Sequence, residues 1–498
     1  MQGFGVNTFS LVNAKGERVF VKFHFTPELG VHSLVWDEAL KINGQDPDFH
    51  RKDLWEAIEA GSYPKWKFGV QVIKEADEHN FDFDILDATK VWPEDLIPVR
   101  YVGTLELNAN PDNYFAQTEQ VAFCTSHIVP GIDYSDDPLL QGRNFSYFDT
   151  QLSRLGVNWQ DIPINRPVCP VMNNNRDGQG QRKIHRGNVN YWPNRYEANP
   201  PAPEGFGKGA GFTSFPAKEN GMKARMVSAK FKEHFNQAQM FYNSMTPIEK
   251  QHMTNAFSFE LDHCEDPVVY KRLVQRLTEI DLSLAQAVAE KCGADTPTKQ
   301  TRANPGQKAK NLSQFDFPPF TPTIASRRIA ILIADGYDHD SYEAVVNAIQ
   351  KEGALPFPIA NKRQVVKARQ SGKSAQPTNH FNGMRSTLFD AIFIPDGDHV
   401  QSLIGNGLAR HYVREAFSHC KAIGSVGNGN LLVEKAVLAE VDSIKVASQS
   451  SGLVDSYGVV SVGSGQGLDN FISKFFEHIA NHRCWDRELD GLSYMVAA

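Results

Sequence analysis

The sequence predicts a mixed α+β chain of several domains, and three observations carry that prediction. Residues 4–25, FGVNTFSLVNAKGERVFVKFHF, alternate apolar and polar positions on both sides of Asn13-Ala14-Lys15-Gly16. That is the pattern of a β-hairpin. Residues 228–292 repeat apolar positions at spacings of three and four, the pattern of packed helices. Beyond Arg327, short apolar runs alternate with helical stretches, which argues a doubly wound parallel sheet. A length of 498 residues is enough for two to four domains at ordinary domain sizes.

The elements follow in order. After the hairpin, a helical region runs from about Leu34 to Ala60 with a break near Asn43 to Asp48. Trp66 to Val72 and Val99 to Leu107 are two further strands, giving four antiparallel strands in all, and the aromatic stretch between them is loop-like. Residues 166–227 are rich in Pro, Gly and Asn and lack periodicity, so they form a long irregular segment. In 228–292, Thr246-Pro247 with Glu249, and Asp266-Pro267, are helix-start signals. Residues 293–326 lose apolar periodicity and read as a linker. The last domain, 327–498, carries the strands RRIAILIADG, ALPFPIA, DAIFIPDG and KAIGSVGN, with helices from Tyr342 to Lys351, Gly407 to Cys420 and Gln466 to Ala480.

Composition narrows the function. A net charge of -7 gives no reason to expect nucleic acid. No run of 18 apolar residues exists, so no transmembrane helix is expected. Six scattered cysteines, with no C-x-x-C pair, indicate neither a zinc site nor a disulfide scaffold. The opening residues have no basic or apolar leader pattern, so the chain is expected to be soluble and, by default, cytoplasmic.

The chemistry concentrates in Asp137 to Asn158, DPLLQGRNFSYFDTQLSRLGVN. It predicts one helix, capped by Asp137, with Pro138 in its first turn and Gly156 as its stop. At 3.6 residues per turn, Arg143, Tyr147, Gln151 and Arg154 share a face. A cation one turn from a phenol favours the anionic form of that phenol. One use for such a group is as an iron ligand, since tyrosine is the proximal haem ligand in catalases. The face pattern alone equally suits a buried tyrosine satisfied by arginine.

The string RNFSYFDTQLSRLGVN resembles the haem-ligand signature of haem catalases, and the whole chain is similar to the large-subunit members of that family. The resemblance implies Tyr147 as the haem-iron ligand, Arg143 as the arginine that hydrogen-bonds its phenolate, and Arg154 as a partner for a haem propionate. It sets Gln151 beside the haem face and gives Asp149 and Thr150 no catalytic role. It implies haem of b or d type, hydrogen peroxide as substrate with water and dioxygen as products, and a homotetramer. Cys124, 23 residues before Tyr147, stands where the family can bond a side chain to the β-carbon of the haem tyrosine. A Cys124–Tyr147 thioether is therefore expected, with a free buried thiol as the alternative. No dinucleotide fingerprint is present.

The same resemblance assigns 1–165 to part of the catalase β-barrel with the proximal helix, 166–227 to a wrapping loop, and 228–292 to a four-helix segment. It assigns 327–498 to a class I glutamine-amidotransferase-like, flavodoxin-like domain. The family's distal histidine and asparagine strings have no match here, and His24, His32 and His127 do not stand in that context. The sequence therefore predicts a chain lacking that N-terminal part. A second reading follows: a haem-binding or structural chain with little turnover. In the last domain the strand-to-helix turn IGSVGNGNLL has no cysteine, and Cys420 precedes the strand, so no nucleophile is expected there.

Overall fold

The computed structural model describes residues 1–168, 177–181, 183–184, 191, 194–195, 214–218 and 220–497. The wrapping role expected of 166–227 falls largely outside them, as does Cys169.

The N-terminal part is built on β1 (Gly3–Val12), β2 (Arg18–Pro27), β3 (Lys65–Lys74), β4 (Arg100–Glu106) and β5 (Ile132–Tyr134), with α1 (Trp36–Gln45) and α2 (Phe49–Glu59) between β2 and β3. The strands form one antiparallel sheet in the order β4-β3-β2-β1-β5. The sequence predicted four strands; β5 is a fifth, too short to carry an alternation signal. Inward side chains of three adjacent strands fasten the loop over 81–97 to one face. Thr8 Oγ1 donates to the Ile85 carbonyl at 2.6 Å, Lys22 Nζ to Lys90 at 2.8 Å, and Gln71 Nε2 to Trp92 at 2.9 Å. Phe20 and Ile73 of the sheet pack there with Phe83, Ile85, Trp92 and Ile97 of the loop.

In β1 the ladder breaks. Gly5 opposes Phe23 and Phe9 opposes Val21, so four steps on β1 match two on β2. Such a bulge frees backbone groups and re-aims side chains. It releases Asn7 and Thr8, both buried, toward the next element.

That element is α3 (Pro138–Leu155). Its sequence-predicted ends hold: Asp137 accepts from Leu139 N at 2.9 Å and Leu140 N at 3.0 Å, and Gly156 follows at φ +94°. The helical segment is α4 (Asn236–Ser244), α5 (Pro247–Asp262), α6 (Pro267–Leu277) and α7 (Leu282–Cys292). Helix α4 starts eight residues later than the periodicity suggests. The Glu233 carboxylate accepts from Phe235 N and Asn236 N, both at 2.9 Å, and sets its start there. Thr246 and Glu249 form a capping box on α5.

The C-terminal part contains β6 (Arg328–Leu332), α8 (His339–Lys351), β7 (Leu355–Ala360), β8 (Val366–Lys367), β9 (Ser374–Ala375), β10 (Asn379–His380) and β11 (Ala391–Ile394). It continues with α9 (His399–Gly405), α10 (Gly407–Ser418), β12 (Ala422–Val426), α11 (Gly429–Val433), β13 (Val454–Ser456), β14 (Val459–Val462), α12 (Asp469–Ala480) and α13 (Asp486–Leu489). A seven-stranded sheet runs β10-β7-β6-β11-β12-β14-β13, parallel except for the β13–β14 hairpin. Alternate residues serve two cores. Ala330, Leu332, Ile392 and Ile394 face one; Ile329, Ile331, Ala391 and Phe393 face the other. Both faces are therefore buried, which explains why these strands read as continuous apolar runs. Helix α8 begins at His339 rather than Tyr342 because Asp338 caps it at Ser341 N, 2.8 Å.

The turn after β12 is closed to a nucleophile. Gly427 sits at φ +54°, and a Cβ there would collide with the Asp396 carboxylate. That carboxylate accepts from Gly397 N at 2.8 Å, Asn428 N at 2.7 Å and Ser464 Oγ at 2.7 Å.

Helix α1 ties the two parts together. Glu38, buried, accepts from Arg483 Nη2 at 2.9 and 3.0 Å and pairs with Lys421 Nζ at 2.7 Å. Among the described residues no helix is long and apolar enough to cross a membrane.

Candidate haem-binding site on the third helix

Helix α3 brings Arg143, Tyr147, Gln151 and Arg154 to one side, as its periodicity requires. The Arg143 guanidinium carbon lies 5.2 Å from the centroid of the Tyr147 ring, within cation–π reach. Arg143 is aimed by a chain of polar contacts. Its Nη1 donates to Asn7 Oδ1; Asn7 Nδ2 donates to Asp137 Oδ2 at 3.1 Å; and Thr8 N donates to the same oxygen at 3.0 Å. Asp137 therefore does two jobs. One oxygen caps α3, and the other holds the β1 bulge that presents Asn7 to Arg143. Sequence reasoning recognised the cap and missed Asn7, because nothing local marks a contact between residues 130 positions apart.

Arg154 is fixed differently. Its Nη1 donates to the Glu119 carbonyl at 2.7 Å, and its Nη2 donates to Val121 O at 2.6 Å and to Gln151 Oε1 at 2.7 Å. It thereby closes the end of a single π turn, Phe115–Glu119. Gln151, buried, sends its Nε2 to the Phe123 carbonyl at 2.9 Å. Among the described residues these contacts use three of the five N–H donors of Arg154.

Cys124 is a half-buried free thiol in the loop before β5. Nearby, the Tyr134 hydroxyl donates to Thr125 O at 3.2 Å, and burial, with help from Cys124 and Asp133, pushes the Tyr134 phenol above its usual range. The three histidines weighed in the sequence have structural partners. His24 Nε2 meets Gln71 Oε1 at 2.8 Å, His32 Nε2 meets Leu29 O at 2.8 Å, and His127 stacks on Trp159 with ring centroids 5.3 Å apart. Burial lowers all three below the ordinary imidazole range, His32 to about 4.

The residues of α3 suit a porphyrin. Only Leu140 and Gln151 are buried on this 18-residue helix, so its half-buried Tyr147 and its apolar side chains stand ready for a further apolar partner. Arg143 lies over the Tyr147 ring and, among the described residues, donates to Asn7 rather than to the phenol oxygen as the sequence suggested, while a tyrosine oxygen is a known donor to haem iron. Arg154, seven residues on and ~10 Å along the axis, has N–H groups to offer a carboxylate. A groove of about 790 Å³ on the other flank, lined by Phe145, Phe148 and Leu152, does not include Tyr147.

Three family models match the chain. The catalase family model matches residues 1–198, the catalase-related immune-responsive model matches 228–292, and the C-terminal domain found in long catalases matches 325–488. Catalase-1 of Neurospora crassa is 61% identical over 510 residues, an alignment that spans 100% of this chain and 68% of that protein. The chain belongs to the large-subunit catalases. Catalase A of Aspergillus fumigatus is 57% identical over 516 residues, spanning 100% of this chain and 69% of its own. Catalase HPII of Pseudomonas putida is 43% identical over 495 residues, spanning 98% and 66%. As a catalase the protein decomposes hydrogen peroxide and uses haem, so the reading of little turnover is not favoured.

A structural consequence can be checked directly. Asp137→Ala removes the α3 cap and leaves Thr8 N and Asn7 without their acceptor. Losing a cap and orphaning a buried donor is expected to cost about 2 kcal/mol. Denaturant unfolding followed by tryptophan fluorescence should show the loss, and haem content should fall with it.

Proposed function

We propose that this catalase holds its haem on α3, where Tyr147 would bind the iron. Bound haem would supply redox chemistry at iron for the overall conversion of two hydrogen peroxide to dioxygen and two water. The chain's own residues set the conditions for that exchange. Tyr147 would present its oxygen to the iron as an electron donor. Arg143, aimed by Asn7 and Asp137, adjusts how much charge that oxygen gives. Arg154 offers its remaining N–H groups to a propionate, and Gln151 keeps Arg154 in place while packing beside the haem face.

The observation that carries this reading is the Asp137–Asn7–Arg143 chain, which fixes a cation beside one phenol. An outer partner of a metal ligand is typically worth about 10- to 100-fold in affinity or activity. Arg143→Ala is therefore expected to reduce oxygen release by that factor at equal haem content, read with an oxygen electrode. Unchanged activity would remove Arg143 from the site.

The same reading includes a thioether between Cys124 Sγ and the β-carbon of Tyr147. The S–H and one Cβ–H bond break, S–Cβ forms, and the two electrons and two protons reduce one peroxide to two waters. Peptide mass spectrometry should find the two peptides joined, lighter by two hydrogens than their sum. Cys124 alkylated beside an unmodified Tyr147 would remove the link. The reading also takes 1–165 as the barrel core with the proximal helix, 166–227 as a loop that wraps a neighbouring subunit, and 228–292 as a helical segment. A linker, 293–326, leads to a flavodoxin-like domain at 327–498. Light scattering in solution is expected to give the mass of four chains.

A further inference from the structure

The C-terminal part holds a second constellation, which haem chemistry does not use. His478 lies in the last turn of α12, and Cys484 follows in the connection to α13. Cys484 Sγ is 3.7 Å from His478 Nδ1, and His478 Nε2 is 2.9 Å from both carboxylate oxygens of Asp455 on β13. Sulfur and carboxylate thus occupy opposite nitrogens of one imidazole. That is the order of nucleophile, base and orienting acid; it leaves no point where the three could share a metal.

The surroundings are built for the sulfur. A Cβ on Gly458 would collide with Cys484 Sγ, and Gly458 sits at φ +77°, so the thiol takes the space that a side chain would fill. Arg487, fully buried, lies against the same spot and donates to the carbonyls of Phe417 at 2.9 Å, Lys421 at 3.2 Å and Tyr457 at 3.1 Å. Among the described residues it has no ion pair with a carboxylate. A buried cation without an anion favours negative charge beside it, and the Cys484 sulfur lies between that guanidinium and the His478 imidazole. The Cys484 sulfur and then Asp455 hold the His478 imidazole protonated up to about 9, in keeping with that pairing. Asp455 is also 3.7 Å from Lys474 Nζ. The half-buried sulfur opens into a cavity of about 770 Å³, walled by Ile248, Phe315 and Trp485.

We propose that Cys484, His478 and Asp455 form a peroxide-reactive thiol site, at which hydrogen peroxide converts Cys484 to a sulfenic acid. The thiolate sulfur attacks one peroxide oxygen; the S–O bond forms as O–O breaks. Sulfur loses two electrons, and the departing hydroxide takes a proton from His478 to leave as water. The oxidant is the enzyme's own substrate. An acyl-transfer role would need donors placed for an oxyanion, whereas this step needs only a proton for the leaving oxygen.

The test uses the native holoenzyme under slow enzymatic peroxide generation with dimedone present, read by site-resolved mass spectrometry. Alkylation by iodoacetamide without peroxide is the second measurement. Among the described residues Cys264 is half-buried without a histidine partner, its Sγ on the Glu260 carbonyl at 3.6 Å, and Cys420 is fully buried with its thiol pushed up to about 12 by burial, so both serve as internal references. Cys484 is expected to react at least about 10-fold faster than either reference in both measurements. His478→Gln and Asp455→Asn are each expected to slow it toward the rate of Cys264 while peroxide decomposition persists. Cys484 labelled no faster than Cys264, or labelled equally in wild type and His478→Gln, would overturn the proposal.

Discussion

Replacing Tyr147 with phenylalanine is expected to reduce peroxide decomposition to the level of free haem and to lower bound haem sharply. The phenol oxygen is the only atom that this substitution removes, so the ring, its packing and the Arg143 guanidinium 5.2 Å from its centroid all stay. Folding should therefore be preserved. What goes is the oxygen proposed to bind iron. Arg143 then stands beside a ring with no oxygen for its charge to act on. The check is a paired measurement: haem content by alkaline pyridine absorbance, and oxygen release per haem. A variant with full haem and full turnover would place the iron ligand elsewhere.

The second large effect is on stability. Glu38→Ala is expected to destabilise the contact between α1 and the C-terminal part by about 3–5 kcal/mol, the usual result of removing one partner from a buried ionic cluster. Lys421 and Arg483, both buried, would be left as two cations facing each other without the carboxylate between them. Replacing a single charge with an apolar side chain does not relieve that repulsion. In a chain of several domains unfolding is not one event, so the readout is the first transition in calorimetry and the onset of proteolysis in the linker.

The same cluster fixes an acid limit. Burial alone would raise the Glu38 carboxyl, but Arg483, Lys421 and His419 outweigh it and hold the group down at about 2. A carboxylate depressed in the folded state stabilises fully above its unfolded value, about 4.3. That contribution drains away as pH falls from there through about 2. Asp37, hydrogen-bonded to His419 at 2.7 Å and likewise at about 2, acts in the same direction. Thermal midpoints should therefore fall between about pH 4.5 and 2, and Glu38→Gln should flatten part of that fall.

Much of the fold was written locally. Asp137, Pro138 and Gly156 mark both ends of α3, and the buried runs of β6, β11 and β12 announce a sheet covered on two sides. The shared face of Arg143, Tyr147, Gln151 and Arg154 was legible for the same reason, since residues at spacings of three and four must meet on a helix. What was hidden depends on contacts with no local trace. The β1 bulge is an irregularity of pairing, not of composition, and it alone explains why Asn7 reaches Arg143. Glu38 reads as an ordinary surface acid in the first turn of an amphipathic helix, yet its partners are 383 and 445 residues away. The π turn that Arg154 closes likewise has no signature in Phe115–Glu119. The Cys484 cluster stayed unseen because Asp455, His478 and Cys484 are joined only when β13 and α12 pack.

The central claim is that the iron of this catalase is bound by the oxygen of Tyr147. Resonance Raman spectroscopy of the purified haem protein tests it most directly. Excitation into the haem bands should enhance phenolate ring modes and an iron–oxygen stretch, and both should vanish in Tyr147→Phe. A spectrum of histidine- or thiolate-ligated iron, unchanged by that substitution, would contradict the account.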